Sequence, residues 1–188
     1  MKGFIILLSF FVYRSGQAQN IPVSNEDFVN SISQMVVDSS FSHYYLSGNA
    51  APCSFKKFDY DEWYKYGLTE DVPIYILNEL AKKSFLDAAP HNWQQEKLLK
   101  AFCIDEEKAK LLLASPAKRH TKNRRLAIDA GKIVYYFSRP EFTDDYQYAI
   151  IDMGFRCDDR QCGMGTTFLF RQVNGKWIIA GKKILWSS

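Results

Sequence analysis

"GTTFLFRQVNGKWIIAGKKILW", residues 165–186, decides the fold. Two runs rich in aromatic and β-branched residues flank Asn174-Gly175, a pair that tolerates the positive φ angles of a type I′ turn. The stretch reads as a β-hairpin. Just upstream, "KIVYYF" (132–137) and "YQYAIIDMGF" (146–155) have the same β-forming character. Strung together, these runs predict an antiparallel meander of about four strands. "CDDRQC", Cys157 to Cys162, falls on the link between the second strand and the third. Gly163 and Gly165 follow it at once, and their backbone freedom suits re-entry into the sheet at a bulge or tight bend.

N-terminal to these strands the apolar period changes from 2 to 3.6. In "IPVSNEDFVNSISQMVVDSS" (21–40), Ser24 is a candidate N-cap with Asp27 at the capping-box spacing, and Phe28, Ile32, Met35 and Val36 share one helical face. "TEDVPIYILNELAKKSFLD" (69–87) is the clearest helix. Thr69 is its candidate cap, Glu70 and Asp71 suit the positive end of the dipole, and Pro73 fits the first turn. Ile76, Leu77, Leu80 and Ala81 form its inner stripe. "HNWQQEKLLKAFC" (91–103) and "DEEKAKLLLAS" (105–115) read as two shorter helices, the second halted before Pro116. The tyrosine-rich segment 43–68 reads as irregular, with a short helix around Asp59 to Tyr66. The expected class is α+β: a helical half, about 24–115, packed on one face of a β half, about 131–187.

Residues 1–18, "MKGFIILLSFFVYRSGQA", have the layout of an export signal. Lys2 supplies the positive start, Phe4 to Tyr13 an apolar run, and Gly16-Gln17-Ala18 a small-x-small cleavage site. The run is shorter than the roughly twenty residues that span a bilayer. Cleavage after Ala18 leaves a single domain, 19–188, exported to a periplasm or the extracellular space. The whole chain has 24 Lys+Arg and 21 Asp+Glu; losing Lys2 and Arg14 leaves 22 cations, a net charge of +1. So small a charge gives no global attraction to nucleic acid. With 47% hydrophobic and 15% aromatic residues, the chain can build a packed core.

Four cysteines in an exported chain favour disulfides over metal ligation. Three pairings exist on paper. Cys157 with Cys162 is the local choice, which leaves Cys53 with Cys103. The C-x₄-C spacing lacks the second ligand pair of a zinc site and the helix-opening C-x-x-C of a redox site, so no metal and no cofactor are expected.

"FSRPEFTDDYQYAII", "CDDRQCGMG" and "NGKWII…ILW" together resemble a C-terminal module of uncharacterised secreted bacterial proteins. The matching positions are Phe137, Ser138, Pro140, Phe142, Tyr148, Ala149, Ile150, Cys157, Cys162, Gly163, Gly165, Asn174, Gly175, Lys176 and Trp177. The likeness implies export and a disulfide-bearing β module, and carries no activity. The last hairpin alone also resembles the closing strands of NTF2-like, cystatin-like cones. One segment resembles a blade of a β-propeller, a fold excluded because the chain shows no internal repeat.

Two polar clusters are candidate binding residues. Lys118, Arg119, Lys122, Arg124 and Arg125 form a basic run suited to an anionic surface, without the interleaved aromatics that stack on bases. Asp158 and Asp159 sit at the tip between the paired cysteines, and with Asp152 they raise the question of a calcium ion. No catalytic set is recognisable: His43, His91 and His120 lie in separate polar segments, and no nucleophile elbow, zincin or phosphate-loop motif stands in context. The tyrosine-rich region from 44 to 66 suits either a core or a binding surface. The reading is a binding domain, not an enzyme, whose partner is a protein, an envelope component or a small molecule. The alternative is a secreted hydrolase whose residues converge only in the fold.

Overall fold

The computed structural model describes residues 22–37, 41–55, 60–86, 91–114, 133–157 and 162–187. Residues 1–18, the basic residues Lys118, Arg119, Lys122, Arg124 and Arg125 with His120 among them, and the tip residues Asp158 and Asp159 lie outside them.

Helix α1 (Asn25–Val36) starts where Ser24 adopts an extended conformation. Ser24 Oγ accepts from the Asp27 N–H at 3.1 Å and donates to Asp27 Oδ2 at 2.7 Å. Phe28, Val29, Ile32 and Ser33 form the buried stripe. Met35, expected inside, is exposed, because a stripe centred on Val29 and Ile32 leaves it at the rim.

Strands β1 (Tyr44–Ser47) and β2 (Asn49–Ala50) follow, then helix α2 (Tyr60–Glu62), which runs into one π-helical turn, Trp63–Gly67. Helix α3 (Ile74–Leu86) buries Ile76, Leu77, Leu80 and Ala81 as its spacing requires. Strand β3 (His91–Asn92), a 3₁₀ turn (Gln95–Lys97), β4 (Ala101–Ile104) and helix α4 (Glu106–Ala114) complete the N-terminal part. The C-terminal strands are β5 (Val134–Phe137), β6 (Glu141–Phe142), β7 (Tyr148–Arg156), β8 (Gly163–Val173) and β9 (Lys176–Ser187).

The expected run of C-terminal antiparallel strands is present, β5-β7-β8-β9, but as part of a larger sheet and not as a four-strand meander. Asn174 and Gly175 turn its last hairpin with φ of 52° and 74°, which fits the type I′ reading. The sheet is nevertheless larger and mixed. Its seven strands run β4-β1-β5-β7-β8-β9, with β6 beside β7, and β1 is parallel to both β4 and β5. Two segments of the supposed helical half thus belong to the sheet. Tyr44–Ser47 had read as irregular, and Ala101–Ile104 as the end of a helix; each is a short strand that pairs only with distant chain.

A second correction concerns the layers. Tyr135, Phe137, Ala149, Ile151, Met153 and Phe170 point to one face and pack with Phe28 of α1. The alternate residues Ile150 and Leu169 point to the other, with Ile76, Leu77 and Leu80 of α3. Val134 and Ile104 share that second face with Ala109 of α4. Helices therefore cover both faces, because the central strands are apolar on both sides and each side must be buried. Phe28 is the hub of the first core, meeting the rings of Phe142, Phe170 and Trp177 edge-on at 5.0–5.6 Å.

Cys157 and Cys162 are disulfide-bonded, with α-carbons 5.3 Å apart, and the bond closes the β7–β8 link. As expected, the β8–β9 register shifts at Gly165, between it and Thr166, and Gly163 and Gly165 serve a second end as well. The Trp186 indole lies across them: a Cβ on Gly163 would come within 2.9 Å of Trp186 Cζ3, and one on Gly165 would overlap the ring outright. Gly154, the cross-strand partner of Gly165, extends the same bed.

Candidate functional site

Cys53 and Cys103, expected to pair, are free thiols in this structure. They are kept apart by the sheet. Cys53 belongs to the core beneath α3, whereas Cys103 packs against the core beneath α1. Burial, followed by the Asp152 carboxylate, pushes the Cys53 thiol up, against the hydroxyls of Ser138 and Ser84. Burial and the carboxylates of Glu26 and Glu96 push Cys103 up as well. Both thiols are thus held protonated, the reverse of what a nucleophile needs.

Asp152 has a structural task. Its Oδ1 accepts from the Thr167 hydroxyl and its Oδ2 from the Ser54 N–H, each at 2.6 Å, while its own N–H donates to Ser138 Oγ at 2.9 Å. These contacts tie the segment around Cys53 to the sheet and engage both carboxylate oxygens. Among the described residues no group of three or more His, Cys, Asp or Glu side chains gathers to hold a metal ion.

The two described histidines, His43 and His91, separate. His43 stacks on Phe102 at 5.2 Å. His91 Nε2 lies 3.2 Å from Oε1 of the buried Glu26, which also accepts from the Gln94 N–H at 3.2 Å. Trp93 meets the His91 ring edge-on at 5.0 Å. Sequence reading missed this pair, because Glu26 and His91 belong to separate segments and neither stands in a motif.

A groove of about 530 Å³ is lined by Tyr64, Leu68, Thr69, Glu70, Asp71, Val72 and Pro73. Thr69, Glu70 and Asp71, expected to open helix α3, form instead a bent, non-helical strap that leads to it. The competing interaction is with β9: the Thr69 N–H donates to Ala180 O at 2.9 Å, its hydroxyl to Ile179 O at 3.3 Å, and Leu68 bridges Gly181. Helix α3 then begins at Ile74, directly after Pro73, whose fixed φ suits a helix start.

The π-turn sets the other wall. Trp63 is wholly buried, edge-on to Phe55 at 5.7 Å, and lies against Gly67 and Gly181. A Cβ on Gly181 would stand 2.8 Å from Gly67 O and 2.9 Å from Trp63 Cζ3, so this close approach requires glycine there. With Trp63 fixed inward, Tyr64 is turned outward, half exposed, and its hydroxyl donates to Val72 O at 3.0 Å. Ile74 and Tyr75 are exposed at the start of α3, just beyond Pro73. Glu70 Oε1 lies 3.2 Å from Arg171 Nε, an ion pair that holds the strap to β8, while Asp71 is exposed. The tyrosine-rich region thus divides: Tyr44 and Trp63 serve the cores, and Tyr64 faces the groove.

Compared with known proteins, the chain matches no family model, no curated protein and no solved structure, so its groove and its cores stand on their own geometry.

Proposed function

We propose that this chain is an exported, disulfide-clamped binding domain whose partner docks in the groove between the π-turn and the strap. The observation that carries the reading is the rigid seating of Tyr64: a buried Trp63 on one side and a hydrogen bond to Val72 on the other present an aromatic ring without ordering cost. Leu68, Val72 and Pro73 supply apolar contact and Asp71 a negative charge. The matching ligand is a protein segment with a basic side chain beside an apolar one. Export is supported by the leader layout, by the Cys157–Cys162 disulfide and by the resemblance of the C-terminal module to secreted bacterial proteins. No described helix is long and apolar enough to cross a membrane.

A hydrolase remains the second reading, favoured by the Glu26–His91 contact. Against it stands the protonated state of both thiols.

A photo-crosslinking side chain at position 64, in the native host, tests the binding reading. A discrete adduct that is lost on Asp71→Asn is expected. No adduct above that of the same group placed at Lys108 on exposed α4 overturns it.

A further inference from the structure

The sheet ends at β4, and its outer edge is occupied in an unusual way. On the inner side, Lys100 O and Ile104 O accept from the N–H groups of Tyr44 and Gly48 at 3.1 and 2.8 Å. The alternate residues Ala101 and Cys103 therefore turn their peptide groups outward. There the Gln95 amide meets them: Nε2 donates to Ala101 O at 2.8 Å, and Oε1 accepts from the Cys103 N–H at 2.6 Å. An acceptor at one residue and a donor two further on is the pattern that a neighbouring strand satisfies. One side chain stands in for that strand. Asn30 repeats the device just before it, donating to Lys97 O at 2.8 Å and accepting from the Leu99 N–H at 2.9 Å.

Asn30 is anchored on α1, but Gln95 projects from a three-residue 3₁₀ turn and is exposed. Its two bonds are thus a latch that a real strand can replace. The flanking sequence says which strand. "KLLKAFCIDEE", residues 97–107, is basic before β4 (Lys97 in the 3₁₀ turn, Lys100 next to the strand) and acidic after it (Asp105 next to the strand, Glu106 and Glu107 in the first turn of α4). Two copies laid antiparallel set each basic end against the other's acidic end, whereas parallel copies set like against like. Centring on Phe102 brings Ala101 opposite the second copy's Cys103, so that outward-facing groups meet outward-facing groups. It also sets two half-exposed Phe102 rings side by side at a non-hydrogen-bonded position, where cross-strand side chains come closest.

We propose that β4 is a homodimerisation edge: two copies of this chain pair antiparallel through β4 about Phe102, and Gln95 is the latch that must swing out first. This goes beyond the groove, which lies at the strap across β9, at the opposite end of the strand order.

Sedimentation velocity over a concentration series of the full chain tests the proposal. Gln95→Ala should tighten the monomer–dimer equilibrium by about tenfold, the worth of one or two ordinary hydrogen bonds no longer broken on pairing. Lys97→Glu should weaken that dimer, and adding Glu107→Lys should restore it. If Gln95→Ala unfolds, Gln95→Glu keeps the acceptor, loses the donor and gives the same direction. A Gln95→Ala protein that stays monomeric with its Cys103 amide protected from exchange means that another part of the chain covers the edge, and overturns the proposal. So does assembly into polydisperse aggregates, or a dimer indifferent to Lys97→Glu.

Discussion

The indole of Trp186 rests on the backbone of Gly165, filling the space where any other residue would carry its Cβ. These two residues are cross-strand partners on β8 and β9, and Gly163 and Gly154 widen the bed. An aromatic ring thereby covers a sheet surface that glycine would otherwise leave uncovered.

Gly165→Ala should therefore destabilise the chain by about 1–3 kcal/mol through overpacking. In a Trp186→Ala background the same substitution should be close to neutral. Urea unfolding of the four proteins of this cycle measures the coupling; equal costs in both backgrounds would show that the ring is not the obstacle.

Phe28→Ala should cost about 3–5 kcal/mol, since the ring is fully buried and meets three other aromatic rings edge-on. Loss of near-ultraviolet dichroism from Trp177 should accompany the lower unfolding midpoint.

Thiol titration without reductant should find Cys53 inert in the native chain and Cys103 slow, because burial pushes both thiols up. Denaturant should release both at once while the Cys157–Cys162 bond stays closed. Rapid native labelling of Cys53 would contradict its place in the core.

Acid should remove the link between α3 and the turn after β6. Lys83 Nζ donates to Asp144 Oδ1 at 2.6 Å and to Phe142 O at 2.7 Å. The Lys83 hydrogen bond and charge hold the Asp144 carboxyl below its usual range. Lys83 itself is raised: burial lowers it, but Asp144 and Glu79 together outweigh that. A lowered carboxyl stabilises above its unfolded value, near 3.8, and loses that contribution as pH falls through its folded value. A raised amine stabilises below its unfolded value, near 10.5, and loses that contribution as pH rises through its folded value. Asp144→Asn should therefore lower the urea midpoint at pH 7 and lower it less at about pH 2. A loss of equal size at both pH values would mean that charge is not the cause.

The antiparallel strands were legible because their information is local: Asn174-Gly175 names its turn, and runs of aromatic and β-branched residues name its flanks. The parallel strands were not. Tyr44–Ser47 and Ala101–Ile104 are four residues each, too short for a period to declare itself, and their partners are far along the chain. Around Ala101, "EKLLKAFC" even matches a helical spacing until Gln95 and Tyr44 claim its peptide groups. The groove was hidden for a related reason. Thr69 has the chemistry of a helix cap, and its use against β9 follows from a strand more than a hundred residues later. The Cys157–Cys162 bond was legible, being confined to six residues.

The parallel pairing of β1 also sets a timetable. A chain that emerges from a ribosome or a membrane pore does so N-terminus first, so Tyr45 appears long before Val134, the residue it must sit beside. Until then β1 has only β4 for company, and its other edge stays open to the wrong neighbour. The β8–β9 hairpin, by contrast, closes within microseconds of its synthesis, since its turn holds both strands in register. Of the sheet's pairings, β8–β9 thus needs the least chain between its partners, whereas β1 must wait for β5 before its second edge is closed.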